Sequence, residues 1–445
     1  MHIVEALRRL WRHASFRRLL TLRILSQAAD GTLQVGMASY ILFSPQSQAD
    51  AWAIAGVLAL TMLPFTIIGP FVAPLLDRWS RRNVALYSDI TRATLAAVIG
   101  VIIATGNTSG AWAIVLYGAL LVAMSVNRFM LAGLSAGLQH TVDEDEYLTA
   151  SSVVPTIGPL GVVIGAVLGF VARFTLGGVL SANQADAVVF GLAAVMFVGS
   201  VLVCRGFTPS ALGPTQAASG PTTGGLRSVA TGLAEAGEHL KTRPVAILAL
   251  ATMALTRLLF GLLSVGVILA ARHLWHPSDQ PAAALADLTL WGLATGAGFI
   301  LAAPLVPVLS RRFGLRRTAE LLLLGCLLVS AATAATTSKW PIYVLSFFIG
   351  LGVQSFKICV DTIVQAHVEE QYKGRVFTFY DMAFNGAFVL AGVVAGLVLP
   401  PTGLAPGVFV AIAVGYGCCL AALVWGSSRL GAATFEKGTE DLTAV

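Results

Sequence analysis

Long, continuous apolar runs alternate with short polar turns along most of the chain. The hydrocarbon core of a bilayer is about 30 Å thick, so an α-helix needs ~20 apolar residues to cross it. The runs are continuous rather than alternating, which predicts helices and not the strands of a membrane barrel. We therefore predict twelve membrane-spanning helices, at residues 19–43, 52–76, 84–105, 113–139, 150–172, 186–204, 245–271, 286–309, 318–337, 341–366, 376–399 and 405–426.

A long polar segment separates the first six predicted spans from the last six. It is rich in Pro, Gly, Ser and Thr, which is typical of a linker, and its residues 226–242 predict a short amphipathic surface helix. The predicted fold class is an all-α integral membrane protein with two pseudo-symmetric six-helix bundles. The parts are a basic N-terminal segment, a first bundle, the linker, a second bundle and a tail, at residues 1–18, 19–204, 205–243, 244–426 and 427–445.

The composition excludes most classes of soluble protein. Of the 445 residues, 56% are hydrophobic and 11% are charged, whereas an average soluble domain is about 25% charged. A soluble protein of this composition would expose one large apolar patch, so disordered, nucleic-acid-binding and disulfide-scaffold classes are excluded. The five cysteines lie in or beside apolar runs without the spacing of a metal site, and we interpret them as packing residues.

The basic residues predict which helix ends face the cytoplasm. Most of the 28 Lys and Arg residues fall on one side of the predicted spans, and only Arg173, Arg272 and Lys339 fall on the other. Because cytoplasmic loops carry an excess of Lys and Arg, both termini are predicted to be cytoplasmic. This bias accounts for the net charge of +6 without a nucleic-acid partner, and we expect a multi-pass protein of the cell (inner) membrane.

The two halves of the chain share short sequence strings. Residues 21–25 resemble residues 255–259, and residues 138–144 resemble residues 364–370 at a similar offset. One string alone can recur by chance, but several in the same order favour an internal repeat. Two repeats of parallel topology predict a transport site at their interface, near the bilayer midplane.

The loop after the second predicted span resembles a motif of the major facilitator superfamily, Gly-x-Leu-Ala-Asp-Arg-x-Gly-Arg-Arg/Lys. Ala73 and Ser80 stand where that motif has glycine. Its charged positions are kept by Asp77, Arg78, Arg81 and Arg82. The resemblance extends over nearly the whole chain and implies secondary transport by alternating access. It also implies that these charged residues latch the cytoplasmic side in the outward-facing state.

Two charged residues follow this loop in predicted span 3. Asp89 and Arg92 lie near its cytoplasmic end, and we interpret them as a structural network of the gating loop that is coupled to Asp77. The matching loop of the second half has Arg311 where the aspartate would be. A latch of the same kind is therefore not expected in the second half.

Small residues are frequent in predicted span 5. Gly158 and Pro159 resemble the Gly-Pro motif of antiporters of the superfamily, which implies a hinge. Gly161, Gly165 and Gly169 repeat every four residues and form one smooth helix face. Generic close packing is the alternative to a hinge.

Three further segments narrow the resemblance. Residues 16–20, 26–31 and 361–365 resemble macrolide-efflux and enterobactin-exporter-like members of the superfamily. That resemblance implies export of an amphipathic small molecule, either drug-like or siderophore-like. Lysophospholipid flippases of the superfamily share a similar acidic residue in span 1, so a lipid or lysophospholipid flippase is the alternative.

Several ionisable or amide side chains lie within predicted spans, although a charge at the bilayer centre costs ~2.5–3.5 kcal/mol on insertion scales. Gln27, Asp30 and Gln34 share one face of span 1, which should therefore face the protein interior. In span 10, Lys357 and Asp361 are four residues apart, a spacing that allows an ion pair. The other candidates for proton coupling or substrate binding are Arg128, Arg257, Asp381 and Asn385.

Asp30 is the predicted proton carrier, because it lies close to the midplane of span 1. Arg128 is its predicted neighbour and a candidate ligand for the substrate, and a permanent salt bridge between the two is the alternative. For Lys357 and Asp361 we favour a structural pair. The midplane candidates carry one more positive than negative charge, which favours an anionic or zwitterionic amphiphile.

The sequence lacks the phosphate-binding, zinc-protease and nucleophile motifs of common enzymes, so we expect a transporter rather than an enzyme. We expect no metal and no cofactor, with the proton gradient as the energy source. The expected activity is proton-coupled antiport that exports an amphipathic small molecule across the lipid bilayer, performed by a monomer.

Overall fold

The computed structural model describes residues 9–43, 50–67, 79–106, 109–143, 146–213, 225–277 and 280–436. Within these ranges the chain is helical, with short turns and no β-strand. The helices before the linker are α1 Ala14–Phe43, α2 Ala51–Ile67, α3 Arg81–Thr105, α4 Ala111–Gly137, α5 Tyr147–Leu176 and α6 Ala182–Arg205. The later ones are α7 Gly225–Lys241, α8 Pro244–His273, α9 Pro281–Phe313, α10 Leu315–Thr333, α11 Lys339–His367, α12 Glu370–Val398, α13 Pro406–Leu430 and α14 Ala432–Glu436.

Each predicted span overlaps one of these helices. In the described part of the chain, eight helices are long and apolar enough to cross a membrane, namely α3, α4, α6, α8, α9, α11, α12 and α13. The chain is therefore an all-helical integral membrane protein. The count of twelve spans and the cytoplasmic position of both termini stay predictions, and the predicted part of span 2 beyond Ile67 lies outside the described residues.

Local sequence sets where helices begin and end. At the start of α6, Ser181 and Gln184 form a capping box, in which each side chain bonds the backbone N–H of the other. At the start of α3, Ser80 accepts a hydrogen bond from the backbone N–H of Asn83. Gly106 follows α3 with a φ of 72°, a left-handed conformation that favours glycine. These caps bound α3, which carries two of the charged residues of interest.

The described residues within 1–47 and 67–225 form one compact unit. In this unit α1 packs along α5 and α6, and α3 packs along α4 and α6. A Cβ atom placed on Gly165 of α5 would collide with the carbonyl of Ala28 in α1, so the two helices approach backbone to backbone. The glycines of α5 therefore form a close-packing surface, as their spacing predicted.

The described residues within 48–66 and 226–445 form a second compact unit. Here α8 packs against α11, α12 and α13, while α11 also packs against α9 and α10. The unit includes α2, where Ala55 lies so close to Gly392 of α12 that a Cβ on the glycine would be 2.8 Å from the Ala55 Cα. The sequence analysis placed this span with the first bundle. The described part of α2 belongs to the second unit instead, where Gly392 allows it to lie close to α12.

The amphipathic helix predicted at 226–242 is present as α7. Its buried positions Gly232, Ala236 and Leu240 are four residues apart and so form one face of the helix. At its exposed side, Glu235 pairs with Arg375 of α12 at 2.7 Å. This helix is therefore attached to the first turns of α12.

Candidate functional site

An arginine of α3 lies between two carboxylates inside the first unit. Arg92, Asp30 of α1 and Asp89 of α3 are each 0% exposed. Arg92 Nη1 donates to Asp30 Oδ1 at 2.8 Å and to Oδ2 at 2.9 Å. Arg92 Nη2 pairs with Asp89 Oδ1. These three residues are called the Arg92 cluster below.

Side chains of two other helices bond to the Arg92 cluster. Asn127 Oδ1 of α4 accepts a hydrogen bond from Arg92 Nη1 at 3.0 Å. Ser200 Oγ of α6 donates to Asp89 Oδ2 at 2.5 Å. The cluster therefore connects α1, α3, α4 and α6 through hydrogen bonds that are buried inside one unit.

Neighbours on α1 and α6 complete the surroundings of the cluster. Ser26 Oγ accepts from Arg92 Nη2 at 2.5 Å, and Gln27 Nε2 donates to Asp30 Oδ2 at 3.0 Å. The Arg92 Cζ also lies 4.5 Å from the centre of the Phe197 ring. The arginine thus has charged, polar and aromatic partners, and its Nε alone lacks a hydrogen-bond acceptor.

The Arg92 cluster carries one positive and two negative charges when all three groups are ionised. Burying a charge costs several kcal/mol unless a partner compensates it, and one guanidinium cannot neutralise two carboxylates. A single proton on either carboxyl group balances the charges. The arrangement is therefore chemically suited to bind and release one proton.

Arg128 does not occupy the place predicted for it. The ion pair of Asp30 is formed with Arg92, and the residue of α4 that faces the cluster is Asn127. Successive helical residues are turned by about 100°, so the half-buried Arg128 leaves the helix in another direction. The predicted Asp30–Arg128 pair is therefore wrong. Gln34, also half-buried, makes no hydrogen bond with Asp30 in the described structure.

The reach of Arg92 to Asp30 was not predicted from the sequence. The predicted span 3 began at residue 84, which put Asp89 and Arg92 near a helix end, whereas α3 begins at Arg81. The available signal was their spacing of three residues, which places both side chains on one helix face. That spacing does not reveal which other helix lies opposite.

The charged loop that resembles the superfamily motif is described only in part. Asp77 and Arg78 lie outside the described residues. Arg81 Nη1 donates to the carbonyl of Leu212 at 3.4 Å. Arg82 Nη1 donates to Asn83 Oδ1 at 3.1 Å. These contacts lie within the first unit, and a gating role for the loop stays a prediction.

The four residues of the predicted hinge lie in the unbroken helix α5. Gly161 and Gly165 face the backbone of α1, whereas Gly158 lies beside the guanidinium of Arg23. Pro159 follows Gly158 in the same helix. The described geometry shows close packing at these glycines, and bending at this point stays a prediction.

A second arginine lies in different surroundings in the second unit. Arg257, near the middle of α8, is half-buried. Its Cζ lies 4.3 Å from the ring centre of Phe384 and 4.1 Å from that of Phe388, both in α12. The ring of Phe260 is 5.6 Å away. These distances are those of cation–π contacts.

An ion pair lies beside this arginine. Lys357 Nζ donates to Asp361 Oδ2 at 2.9 Å, so the pair that their spacing allowed is present. Lys357 Nζ is also 5.1 Å from the ring centre of Tyr380 and 5.5 Å from that of Phe384. Tyr380, Phe384 and Phe388 are four residues apart on α12 and are called the aromatic row below.

The two other candidates of α12 lie next to the aromatic row in sequence. Asn385 Nδ2 donates to the backbone carbonyl of Asp381 at 2.9 Å, and both residues are half-buried. This bond stays within one helix turn. No hydrogen bond in the described structure joins Asn385 to Arg257 or Lys357.

Arg257 differs from Arg92 in what satisfies its N–H groups. A guanidinium has five N–H donors, yet no hydrogen bond or ion pair joins Arg257 to any residue that the structure describes, and its buried Nε is unpaired. Aromatic faces contribute about 0.5–2 kcal/mol per cation–π contact but supply no counter-charge. The site is therefore chemically suited to an acceptor that comes from outside the chain.

One group of potential metal ligands occurs near the predicted cytoplasmic side. His13 Nε2 lies 2.6 Å from Glu146 Oε2 and 3.8 Å from Asp143 Oδ2. The shorter distance is that of a hydrogen bond. We interpret the group as a hydrogen-bonded contact that links residue 13 to the loop before α5.

The sequence is similar to two transporters along most of its length. It is 32% identical over 392 residues to the uncharacterised MFS-type transporters Mb0038c of Mycobacterium bovis and Rv0037c of Mycobacterium tuberculosis. The alignment covers 88% of this chain and 86% of each relative. The chain belongs to the major facilitator superfamily. Residues 278–441 also match the sequence profile of that superfamily.

Several transporters of known structure share the fold. The nucleoside transporter NupG has a TM-score of 0.65 at 16% identity, covering 93% of this chain and 99% of that chain. A POT family transporter in complex with 5-aminolevulinic acid has a TM-score of 0.68 at 11% identity, covering 93% and 96%. A bacterial homologue of the iron transporter ferroportin in the outward-facing state has a TM-score of 0.60 at 17% identity, covering 93% and 99%. At these identities the likeness shows the fold alone.

Membership of the superfamily makes this chain a membrane transporter. Proteins of the superfamily are generally not enzymes. The two relatives are named only as MFS-type transporters. Their names therefore do not extend to the more specific resemblance to macrolide-efflux and enterobactin-exporter-like members.

Proposed function

We propose that this transporter is a proton-coupled antiporter that exports an amphipathic small molecule across the cell (inner) membrane. It would do so by alternating access, with twelve spans and both termini in the cytoplasm. The single observation that carries the proposal is the position of Arg92 between Asp30 and Asp89. The proton gradient would supply the energy without a cofactor, and a monomer would suffice.

The charge of the Arg92 cluster is the first support. One cation and two carboxylates, all fully buried, leave an excess negative charge that one proton removes. A transporter coupled to protons needs a site that exchanges one proton during its cycle. Asp30 is the preferred carrier, because it is fully buried close to the predicted midplane of span 1 and belongs to a helix that lines the cavity in the superfamily.

The bonds of the Arg92 cluster to several helices are the second support. Loss of the negative charge on a carboxylate weakens the charge-assisted hydrogen bonds that it accepts. The bonds that Asp30 and Asp89 accept connect α1, α3 and α6, and Arg92, which donates to both carboxylates, also donates to Asn127 of α4. Protonation would therefore change the packing of four helices at once, as coupling to alternating access requires.

The direction of transport rests on sequence resemblance. The segments that resemble macrolide-efflux and enterobactin-exporter-like members favour export. A lipid or lysophospholipid flippase is the second candidate, because Asp30 corresponds to an acidic residue that such flippases share in span 1. Both candidate functions would place Asp30 in the coupling step, and they differ in the molecule that is transported.

Transport into proteoliposomes under an imposed pH gradient tests the coupling. A suitable probe is a dansyl-labelled decylsulfonate, whose permanent charge prevents passive crossing. Vesicles with an acidic lumen are expected to accumulate the probe with the wild-type protein. Asp30→Asn is expected to reduce gradient-driven uptake to the level of protein-free vesicles, and Asp89→Asn to reduce it in the same direction.

The matched control is another aspartate–arginine pair of the first unit, in which the aspartate is buried. Asp186 is 0% exposed and pairs with Arg173 at 2.5 Å, apart from the Arg92 cluster. Asp186→Asn is expected to keep gradient-driven uptake. Equal uptake by the wild type and by Asp30→Asn would remove Asp30 from the coupling step.

A further inference from the structure

Arg257 is a cation without a counter-charge in the described structure. It lies near the middle of a helix that is apolar enough to cross a membrane. Its guanidinium makes no hydrogen bond or ion pair with any residue in the described ranges. The side chain is half-buried and so keeps surface that a ligand can reach. An uncompensated charge within a membrane span requires a partner, water or a functional reason.

The aromatic contacts leave the N–H edge of the Arg257 guanidinium open to a ligand. Phe384 and Phe388 lie at cation–π distance from its Cζ, and a guanidinium that stacks on aromatic rings keeps its N–H edge for other partners. Carboxylate, sulfonate and phosphate groups fit that edge, because each presents two oxygen acceptors to two parallel N–H groups. The surroundings of Arg257 therefore favour an oxyanion.

The neighbouring ion pair sets the charge of the region. Lys357 is paired with Asp361 at 2.9 Å, so Arg257 is the cation beside the aromatic row that has no carboxylate partner in the described structure. A lipophilic cation placed there would meet like charge. An anion would meet a free cation on one side and the apolar faces of Phe384 and Phe388 on the other.

From these contacts we infer that Arg257 binds the anionic head group of the transported molecule, with the apolar body of that molecule on the aromatic row. The ligand class is an amphiphile with one negative charge on a carboxylate, sulfonate or phosphate group. This inference rests on the proposed function for the act of transport, and it deepens that proposal by naming the class of substrate. The binding step itself requires no proton gradient.

Binding to purified protein in nanodiscs of net-neutral phosphatidylcholine tests the inference. Two probes of equal length differ in head group alone, a dansyl-labelled decylsulfonate and a dansyl-labelled decyltrimethylammonium, and empty nanodiscs give the lipid background. The wild type is expected to bind the sulfonate at least about tenfold more tightly than the ammonium, since charge-assisted hydrogen bonds contribute to the sulfonate alone. This comparison needs no variant and holds even if a substitution impairs folding.

Substitutions then assign the preference to Arg257. Arg257→Gln is expected to weaken sulfonate binding about tenfold to a hundredfold and to leave ammonium binding equal or stronger. Arg257→Lys keeps the charge without the planar N–H edge and is expected to fall between the two. The matched control is Arg375→Gln, which removes an exposed arginine of α12 that already pairs with Glu235. It is expected to bind both probes as the wild type does.

Two results would overturn the inference, namely equal binding of both probes by the wild type, or unchanged sulfonate binding by a folded Arg257→Gln. The outcome is separable from that of the coupling experiment. Selective sulfonate binding with uptake that ignores the pH gradient would refute proton coupling and leave this site in place. Gradient-driven uptake without a preference for the sulfonate would refute this site and leave proton coupling in place.

Discussion

The two arginine sites of this transporter differ in the partners that surround the guanidinium. Arg92 is fully buried between two carboxylates and bonds to side chains of several helices. Arg257 is half-buried, lies on aromatic rings and has no carboxylate partner in the described structure. The first site has an excess of negative charge, whereas the arginine of the second site has no counter-charge among the described residues. The same side chain thus suits a proton site in one unit and an anion site in the other, because its partners differ.

The internal repeat does not relate these two sites. The sequence strings align Arg257 with Arg23, whose Nη1 donates to Ser135 Oγ at 3.3 Å. Arg92 belongs to a different helix of the first unit. The two sites therefore occupy non-equivalent positions of the two halves. Four substitutions test whether the contrast between them also holds for the free energy of unfolding.

The largest effect is expected for Arg92→Gln. Removing the cation leaves two buried carboxylates without a counter-charge, which costs about 3–5 kcal/mol of the free energy of unfolding. Titration of the purified protein from mild micelles with dodecyl sulfate, followed by tryptophan fluorescence, measures that free energy. A loss below about 1 kcal/mol would show that the arginine is not what holds the carboxylates in place.

The next effect concerns a hydroxyl group. Ser200→Ala removes the bond to Asp89 Oδ2, and losing a hydrogen bond to a charged group is expected to cost about 1.5–3 kcal/mol in the same titration. Ser264 in α8 is a matched control, since it is also buried but bonds only to the carbonyl of Phe260 in its own helix at 2.8 Å. If the two alanine variants lose equal stability, Asp89 does not depend on Ser200.

Asp30→Asn is expected to change stability by less than about 1 kcal/mol, although the residue is fully buried. The amide keeps an acceptor for Arg92, and the remaining Arg92–Asp89 pair is neutral. Coupled transport would be lost while the fold is kept. A large loss of stability would indicate that both carboxylates are ionised and structural.

The smallest effect on stability is expected for Arg257→Gln. The substitution removes cation–π contacts, but it also removes a half-buried charge that has no counter-charge among the described residues. Because these effects oppose each other, the free energy of unfolding should stay within about 0.5 kcal/mol of the wild-type value or rise. The same titration measures it beside Arg92→Gln. A loss as large as that of Arg92→Gln would mean that Arg257 is a structural residue, and the contrast between the sites would disappear.

The sequence predicted the helices and the inward orientation of Asp30 well, because long apolar runs and a polar stripe are properties of one segment. The helix ends were less accurate. Predicted span 1 began at residue 19, whereas α1 begins at Ala14 and places Phe16, which is 1% exposed, in the core of the first unit. Such burial depends on tertiary contacts and cannot be inferred from local hydrophobicity.

The partners of charged residues were predictable only within a helix. The Lys357–Asp361 pair follows from a spacing of four residues. The Asp30–Arg92 pair joins α1 to α3 and depends on which helices are neighbours. Arg92 also lies eleven residues into α3, a rise of about 16 Å, which the later predicted start of that span concealed.

The attachment of α7 gives α12 a partner outside the bundle of long helices. His239 stacks on Tyr372 with ring centres 4.3 Å apart, and Glu235 pairs with Arg375, so α7 is bound to the first two turns of α12. This helix is therefore fixed to the helix that carries the aromatic row. A spectroscopic label on α7 would report displacements of α12.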